Sequence, residues 1–248
     1  MQTRSRFMDF EKQQQAFRTS SPSLIGRGFE KITSPVGGAV AGFVPNGLVR
    51  GVLQGIDRAV GTPQLVKFDH DLADLKACHD AAERVAIATR AISGTTGAAS
   101  GIGGILTMGL DIPATIALAL RCIRDTGRAY GYDGKGARER LFRLQVLELA
   151  SLNDKKQRAE RIAALEAGID PDGNLSEMPP EEIDPVIEQA IERVSRALAI
   201  ALFRRRVGAV VPLVGSVIGG AVNVSFQGDV GEAARFAFQE RRLRAGKA

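Results

Sequence analysis

Residues 94–133 read GTTGAASGIGGILTMGLDIPATIALALRCIRDTGRAYGYD, and the reading of this stretch decides the fold. Its first half is uncharged and built mostly of Gly, Ala, Ser and Thr. Asp111, Pro113 and Arg121 then bracket a second apolar run, which closes on Gly131-Tyr132-Asp133. Small residues at close helical spacing let two backbones approach, so the stretch reads as a tightly packed helical hairpin. Asp111 is placed to cap the second helix with Pro113 in its first turn. Ile116, Leu120 and Ile123 give that helix its apolar face.

Composition points the same way. A chain of 248 residues buries a real core, and with 5% aromatics and no Trp that core must be aliphatic and Ala/Gly-packed. The expected fold is all-α, a single helical domain of small-residue packed hairpins. The net charge of +5 suits an anionic surface. Nucleic acid is not an expected partner, because aromatics interleaved with a longer basic stripe are missing. Cys78 and Cys122 form no disulfide framework and the polar N-terminus has no secretory pattern, so a cytoplasmic setting is expected.

Three windows lack charge over nearly a bilayer's span: Ile32 to Val49, Ala91 to Leu110 and Val207 to Phe226. Gly, Ser, Thr, Pro or Asn interrupts each, so none reads as a transmembrane helix. Glycines recur four apart at Gly38 and Gly42, then at Gly47, Gly51 and Gly55. Gly97, Gly101, Gly104, Pro113, Pro212, Gly215, Gly219 and Gly220 are the expected helix-packing residues. Arg50, Arg90, Arg121 and Arg204, Arg205 and Arg206 flank the windows and are the expected contacts to acidic headgroups or to a membrane-protein partner.

Around these windows the chain divides simply. Arg6 to Phe17 reads as a helix before a Ser-Ser-Pro-Ser break, giving an N-terminal polar helical extension over 1–30 and one helical domain over 31–248. Thr62-Pro63 starts a helix that is expected to run to Ser93-Gly94. A turn at Gly134 to Gly136, a helix through Leu141 to Leu149, a charged helix and a loop from Gly168 to Pro180 follow. Pro180-Glu181-Glu182 starts a long helix to Leu202, and a last helix is expected from Val230 to about Leu243.

Two segments together resemble the EcsC protein family, named for a bacterial protein encoded beside an ABC transporter. One holds GAASGIGG, Asp111-Ile112-Pro113 and Gly131-Tyr132-Asp133. The other, Val211 to Arg242, holds PLVGSVIGGAVN, Asp229-Val230-Gly231, Ala233-Ala234-Arg235 and Arg241. The resemblance covers roughly residues 30 to 244. It implies a link to transport or the cell envelope and brings no catalytic residue with it.

The sharpest chemical cluster is Asp69-His70-Asp71 through Asp74, Cys78, His79, Asp80 and Glu83. On one helix His70, Asp74 and Cys78 would share a face, with His79 and Glu83 beside it. His70, Asp74, Cys78 and His79 are therefore the candidate metal set, and Zn²⁺ the metal it suits. No His-Glu-x-x-His occurs, and a polar helix face is the plainer reading. The loop Asp170 to Glu181 echoes an EF-hand with Leu175 where the turn wants Gly, so a solvated acidic turn is preferred. Gly101 to Gly104 follows no strand, and Gly-x-Ser-x-Gly is absent. No cofactor and no catalytic residue are assigned. The expected function is that of a non-enzymatic accessory protein, peripheral on the inner face of the bacterial cytoplasmic membrane. The rivals are a soluble metal-dependent hydrolase using the His70/His79 helix and a soluble scaffold whose windows are core.

Overall fold

Gly231 and Ala86 set the spacing of the two longest-packed helices: a Cβ on Gly231 would sit 3.0 Å from that of Ala86. The computed structural model describes residues 2–20, 46–54, 62–100, 108–207 and 215–246. Within them the helices are α1 (Gln2–Thr19), α2 (Asn46–Gln54), α3 (Leu75–Ser100), α4 (Met108–Ala129), α5 (Gly136–Ser151), α6 (Lys155–Ala167), α7 (Pro180–Val207) and α8 (Gly215–Ala245). The described residues contain no β-strand, only an isolated bridge between Ile169 and Leu175. The fold is all-α.

The order of contacts gives the topology. Ala86 meets Gly231, Arg90 meets Gly228 and Gly94 meets Val224, so α3 and α8 run antiparallel. Thr115 accepts from Gln227 Nε2 (2.9 Å) and Gly127 lies under the Phe238 ring, so α4 runs parallel to α8. These three helices form the centre. α5 packs on α4 and α8, α7 covers α5, α2 lies on α7 and α4, and α1 crosses α8. The core is aliphatic, with Val85, Ile116, Ile123, Leu144, Leu147, Ile191 and Val194 all fully buried.

Several helix boundaries differ from those expected. The predicted helix from Thr62 begins only at Leu75. Arg124 donates to the carbonyl oxygens of Thr62 (2.9 Å) and Pro63 (3.1 Å), and Leu65 N–H donates to Asp125 (2.7 Å). Those backbone groups are thus held by an ion pair with no solvent exposure on α4, and cannot close helical turns. Asp74 instead caps α3, its carboxylate accepting from Lys76 N–H (2.9 Å). At its other end α3 passes Ser93-Gly94 and reaches Ser100, with Gly94 seated against Val224 of α8. α4 starts at Met108 and places Pro113 inside the helix rather than in its first turn. α8 is one helix of 31 residues, not a window followed by a shorter helix, because no proline interrupts it after Pro212.

The connections carry as much structure as the helices. Gly131, Gly134 and Gly136, with φ of +90°, +73° and +87°, turn the chain from α4 into α5. Arg143, buried on α5, donates to the Gly134 carbonyl. The loop before α7 is no exposed acidic turn throughout: Gly173 (φ +78°) is buried against α8, where its carbonyl accepts from Arg241 Nε (3.0 Å). Arg241 also pairs with Glu139 (2.7 Å) and lies 3.7 Å from the centre of the Tyr132 ring. One buried guanidinium therefore ties the α4–α5 turn, α5 and the 169–175 loop to α8.

Two glycine substitutions separate sterics from backbone strain. Gly173→Ala would place Cβ 2.1 Å from the Arg241 carbonyl at a positive φ, and should cost about 2–5 kcal/mol. Gly136→Ala meets nothing within 4 Å and should cost only about 1–2 kcal/mol. Urea unfolding of both variants measures the difference; equal losses would mean the Gly173–Arg241 contact is not tight.

Candidate functional site

Where α1 crosses α3 and α8 it leaves a cleft of about 380 Å³. Its walls come from Gln13, Gln14 and Phe17 on α1, His79 and Glu83 on α3, and Glu232, Arg235 and Gln239 on α8. The spacing explains the assembly. His79 and Glu83 are four apart on one helix face, and Glu232, Arg235 and Gln239 recur three and four apart on another. α1 closes the third side because Phe17 stacks on Phe236 (4.3 Å) and Arg18 pairs with Glu166 (2.8 Å) and Glu240 (3.0 Å). Arg158, buried on α6, lies 4.3 Å from the centre of the Phe17 ring from beneath.

A hydrogen-bond chain orders the back of the cleft. Gln14 Nε2 donates to the Phe236 carbonyl (3.1 Å) and to Gln239 Oε1 (2.6 Å). Gln239 Nε2 then lies 3.5 Å from His79 Nδ1 and donates to Gln13 Oε1 (3.3 Å). Tyr130 Oη stands 3.2 Å from the same Nδ1. With an amide N–H₂ and a hydroxyl both directed at it, Nδ1 is the acceptor and the proton sits on Nε2. Burial pushes the Tyr130 hydroxyl well above its ordinary value, which keeps it protonated and able to donate. Burial, helped by the Arg235 charge, lowers the His79 pKa and favours the neutral ring. His79 therefore presents a neutral N–H donor.

The expected metal set does not assemble as a helical face. His70 precedes α3 in the non-helical segment and its Nε2 is 2.8 Å from the Ala129 carbonyl. Asp74 is occupied as the α3 cap. Cys78 is fully buried, its thiol near the Leu72 carbonyl (3.6 Å), and burial raises its pKa. Of the four, His79 lines the cleft under α1. Among the described residues no three His, Cys, Asp or Glu side chains gather as a metal-binding group.

The flanking arginines separate into two groups. Arg50 pairs with Glu188 (2.6 Å) and Glu192 (3.7 Å) on α7, and Arg121 donates to the Pro63 carbonyl (3.1 Å), so both brace the fold. Arg90 lies ten residues before the end of α3. Arg204, Arg205 and Arg206 are in the last turns of α7, their side chains outside the described residues. Gly97, Gly215, Gly219 and Gly220 are on α3 and α8, whereas Gly101, Gly104 and Pro212 lie outside the described residues, as does most of the Ile32 to Val49 window. Among the glycines whose surroundings are described, Gly127 and Gly231 admit close helix contacts, to Phe238 and Ala86, and Gly94 packs on Val224 at 3.6 Å. The sequence pattern also missed Gln14 and Gln239, because neutral amides on a helix carry no spacing signal until their helices meet.

The sequence profile of the EcsC protein family matches residues 8–243. Among curated proteins, an uncharacterized protein of Bacillus subtilis, YdbA, is 28% identical over 153 residues, covering 59% of this chain and 51% of YdbA. Protein EcsC of the same organism is 26% identical over 178 residues, covering 72% of this chain and 69% of that protein. The chain thus spans about half of the first relative's length. No solved structure matches it.

The two histidines make His79 directly readable by proton NMR. Its folded pKa lies below the unfolded value of 6.5, so the unfolded chain binds the extra proton first. The His79 contribution to stability is complete above pH 6.5 and falls as pH drops from 6.5 through the lowered folded value. Wild type should therefore lose more stability on going from pH 7.5 to pH 5 than His79→Gln does, with urea midpoints as the measure. Equal pH dependence in the two proteins would show that His79 is not held neutral.

Proposed function

As this chain belongs to the EcsC protein family, we propose that it is a non-enzymatic bacterial accessory protein that engages the inner face of the cytoplasmic membrane peripherally and serves a transport or envelope process there. One topological observation carries the reading. α3 and α8 are antiparallel and α4 is parallel to α8, so the end of α3 and the starts of α4 and α8 share one pole of the central three helices. The two uncharged windows Ala91 to Leu110 and Val207 to Phe226 contain these three helix ends. Two separate apolar, charge-free stretches are therefore tethered at the same pole, which is what a surface-engaging device requires.

No described helix is long and apolar enough to cross a membrane. The proposed mode is accordingly shallow insertion or docking onto a membrane protein, with Arg204 to Arg206 meeting acidic headgroups just before the second window. Arg50 and Arg121 also make exposed contacts within the fold, to Glu188, Glu192 and the Pro63 carbonyl. Arg90, on α3 just before the first window, turns its Nε back to the Ala86 carbonyl (3.3 Å).

Co-sedimentation with liposomes of graded anionic content, at low and high salt, tests this. Wild type should bind more as anionic lipid increases, and a fraction should resist salt. Replacing Arg204, Arg205 and Arg206 with Gln should lower binding roughly 100-fold at low salt, at about 1 kcal/mol per arginine. Leu106→Asp with Leu213→Asp should remove the salt-resistant fraction. Protein that stays in the supernatant at every lipid composition would sink the proposal.

A further inference from the structure

The cleft under α1 plays no part in the membrane reading. Ser100 lies seventeen positions beyond Glu83 on α3, about 25 Å along the helix axis, so the cleft stands well away from the window-bearing pole. What it offers a ligand follows group by group. His79 Nε2–H has no partner among the described residues, its Nδ1 being the atom that Tyr130 and Gln239 engage. Arg235 lies close enough to His79 to act on its charge, yet it closes no ion pair or hydrogen bond with a described residue. Glu83 and Glu232 line the same cleft and are exposed, likewise without an ion pair among the described residues. In the wall behind them Gln14 is 3% exposed, and its Oε1 has no hydrogen-bond partner.

Opposite charges thus share one cleft without neutralising each other, held apart by the helices that carry them. An anion alone on Arg235 would meet two carboxylates, and a cation alone beside them would meet Arg235. A ligand bearing both charges satisfies both sets. We propose that the cleft binds a small zwitterion with a free ammonium and a free carboxylate, an α-amino acid or a short peptide. The carboxylate sits on the Arg235 guanidinium and His79 Nε2–H, a charge-assisted pair of donors. The ammonium sits between Glu83 and Glu232, the two exposed carboxylates of the cleft. Phe17 and Phe236 supply an apolar wall for the ligand's side chain, and about 380 Å³ is within the range of small-molecule sites.

Thermal unfolding of the full chain, followed by circular dichroism, tests the proposal. The probes are the individual L-α-amino acids and glycylglycine at 10 mM, with acetate and ethylamine as single-charge controls. At least one zwitterion should raise Tm, by about 5–10 °C where it is a hundredfold above Kd, while neither control does. Arg235→Gln and Glu83→Gln should each abolish the shift, and Arg235→Lys should retain part of it. If Arg235→Gln fails to fold, Glu83→Gln and Arg235→Lys carry the comparison. No shift with any zwitterion, an equal shift with acetate alone, or a shift that survives Glu83→Gln would each overturn it.

Discussion

The close approach of α3 to α8 is the constraint on which the rest of the molecule depends. At Gly231 a Cβ would be 3.0 Å from that of Ala86, tighter than ordinary van der Waals contact, and Gly94 and Gly228 continue the same seam. Helices that near each other admit only small side chains at their closest point, so most of their larger residues project to either side. On one side Phe226, Val230 and Ala234 join the aliphatic core. On another, His79 and Glu83 of α3 come opposite Glu232, Arg235 and Gln239 of α8 and create the cleft. The antiparallel seam also brings the α3 end and the α8 start, each of which falls within an uncharged stretch of sequence, to one pole.

Buried charge supplies the second level of organisation. Arg241, Arg124 and Arg143 are almost completely buried, and each donates to backbone carbonyls of a connection rather than of a helix. A guanidinium suits this task because its planar fork keeps several donors at fixed angles while its charge is met by a nearby carboxylate. Glu139 serves Arg241 and Asp125 serves Arg124. Glu148 shows the reverse arrangement, a carboxylate at 5% exposure held by Arg161 (3.1 Å) and Arg193 (3.4 Å) across α5, α6 and α7. In a chain with few aromatics, these pairs fix loops that apolar packing alone would leave loosely placed.

Most of the helical architecture was legible in the sequence, because periodic apolar positions and cap signals are local. α7 begins at Pro180 as its Pro-Glu-Glu start predicts, and the glycine turn before α5 falls where Gly134 and Gly136 place it. The failures were non-local. Thr62-Pro63 has every local feature of a helix start, yet Arg124 and Asp125, some sixty residues on, capture its backbone. With that start removed, His70 leaves the helix and the apparent His70/Asp74/Cys78 face dissolves. The cleft was only half visible: the His79/Glu83 spacing is local, but its partners sit on α1 and α8. Arg235, Tyr132 and Arg241 all belong to the blocks that carry the family resemblance, and the structure gives each a physical setting, Tyr132 beneath Arg241 and Arg235 in the cleft.

The pole and the cleft share the same two helices, and the packing between them limits how one can influence the other. α8 is continuous from Gly215 to Ala245, and its seam with α3 has no slack at Gly231, so a ligand in the cleft cannot slide one helix past the other without breaking close contacts. The wall with more freedom is α1. It meets α8 through Gln14, Phe17 and Arg18, and the carboxylates it faces across the cleft, Glu83 and Glu232, are solvent-exposed. Binding energy in the cleft therefore acts first on the seating of α1, while the bundle transmits little to the pole. Coupling between a small ligand and a surface partner requires an element with two arrangements, and the seating of α1 against Phe236 and Gln239 is the cleft contact that the close α3–α8 seam does not fix.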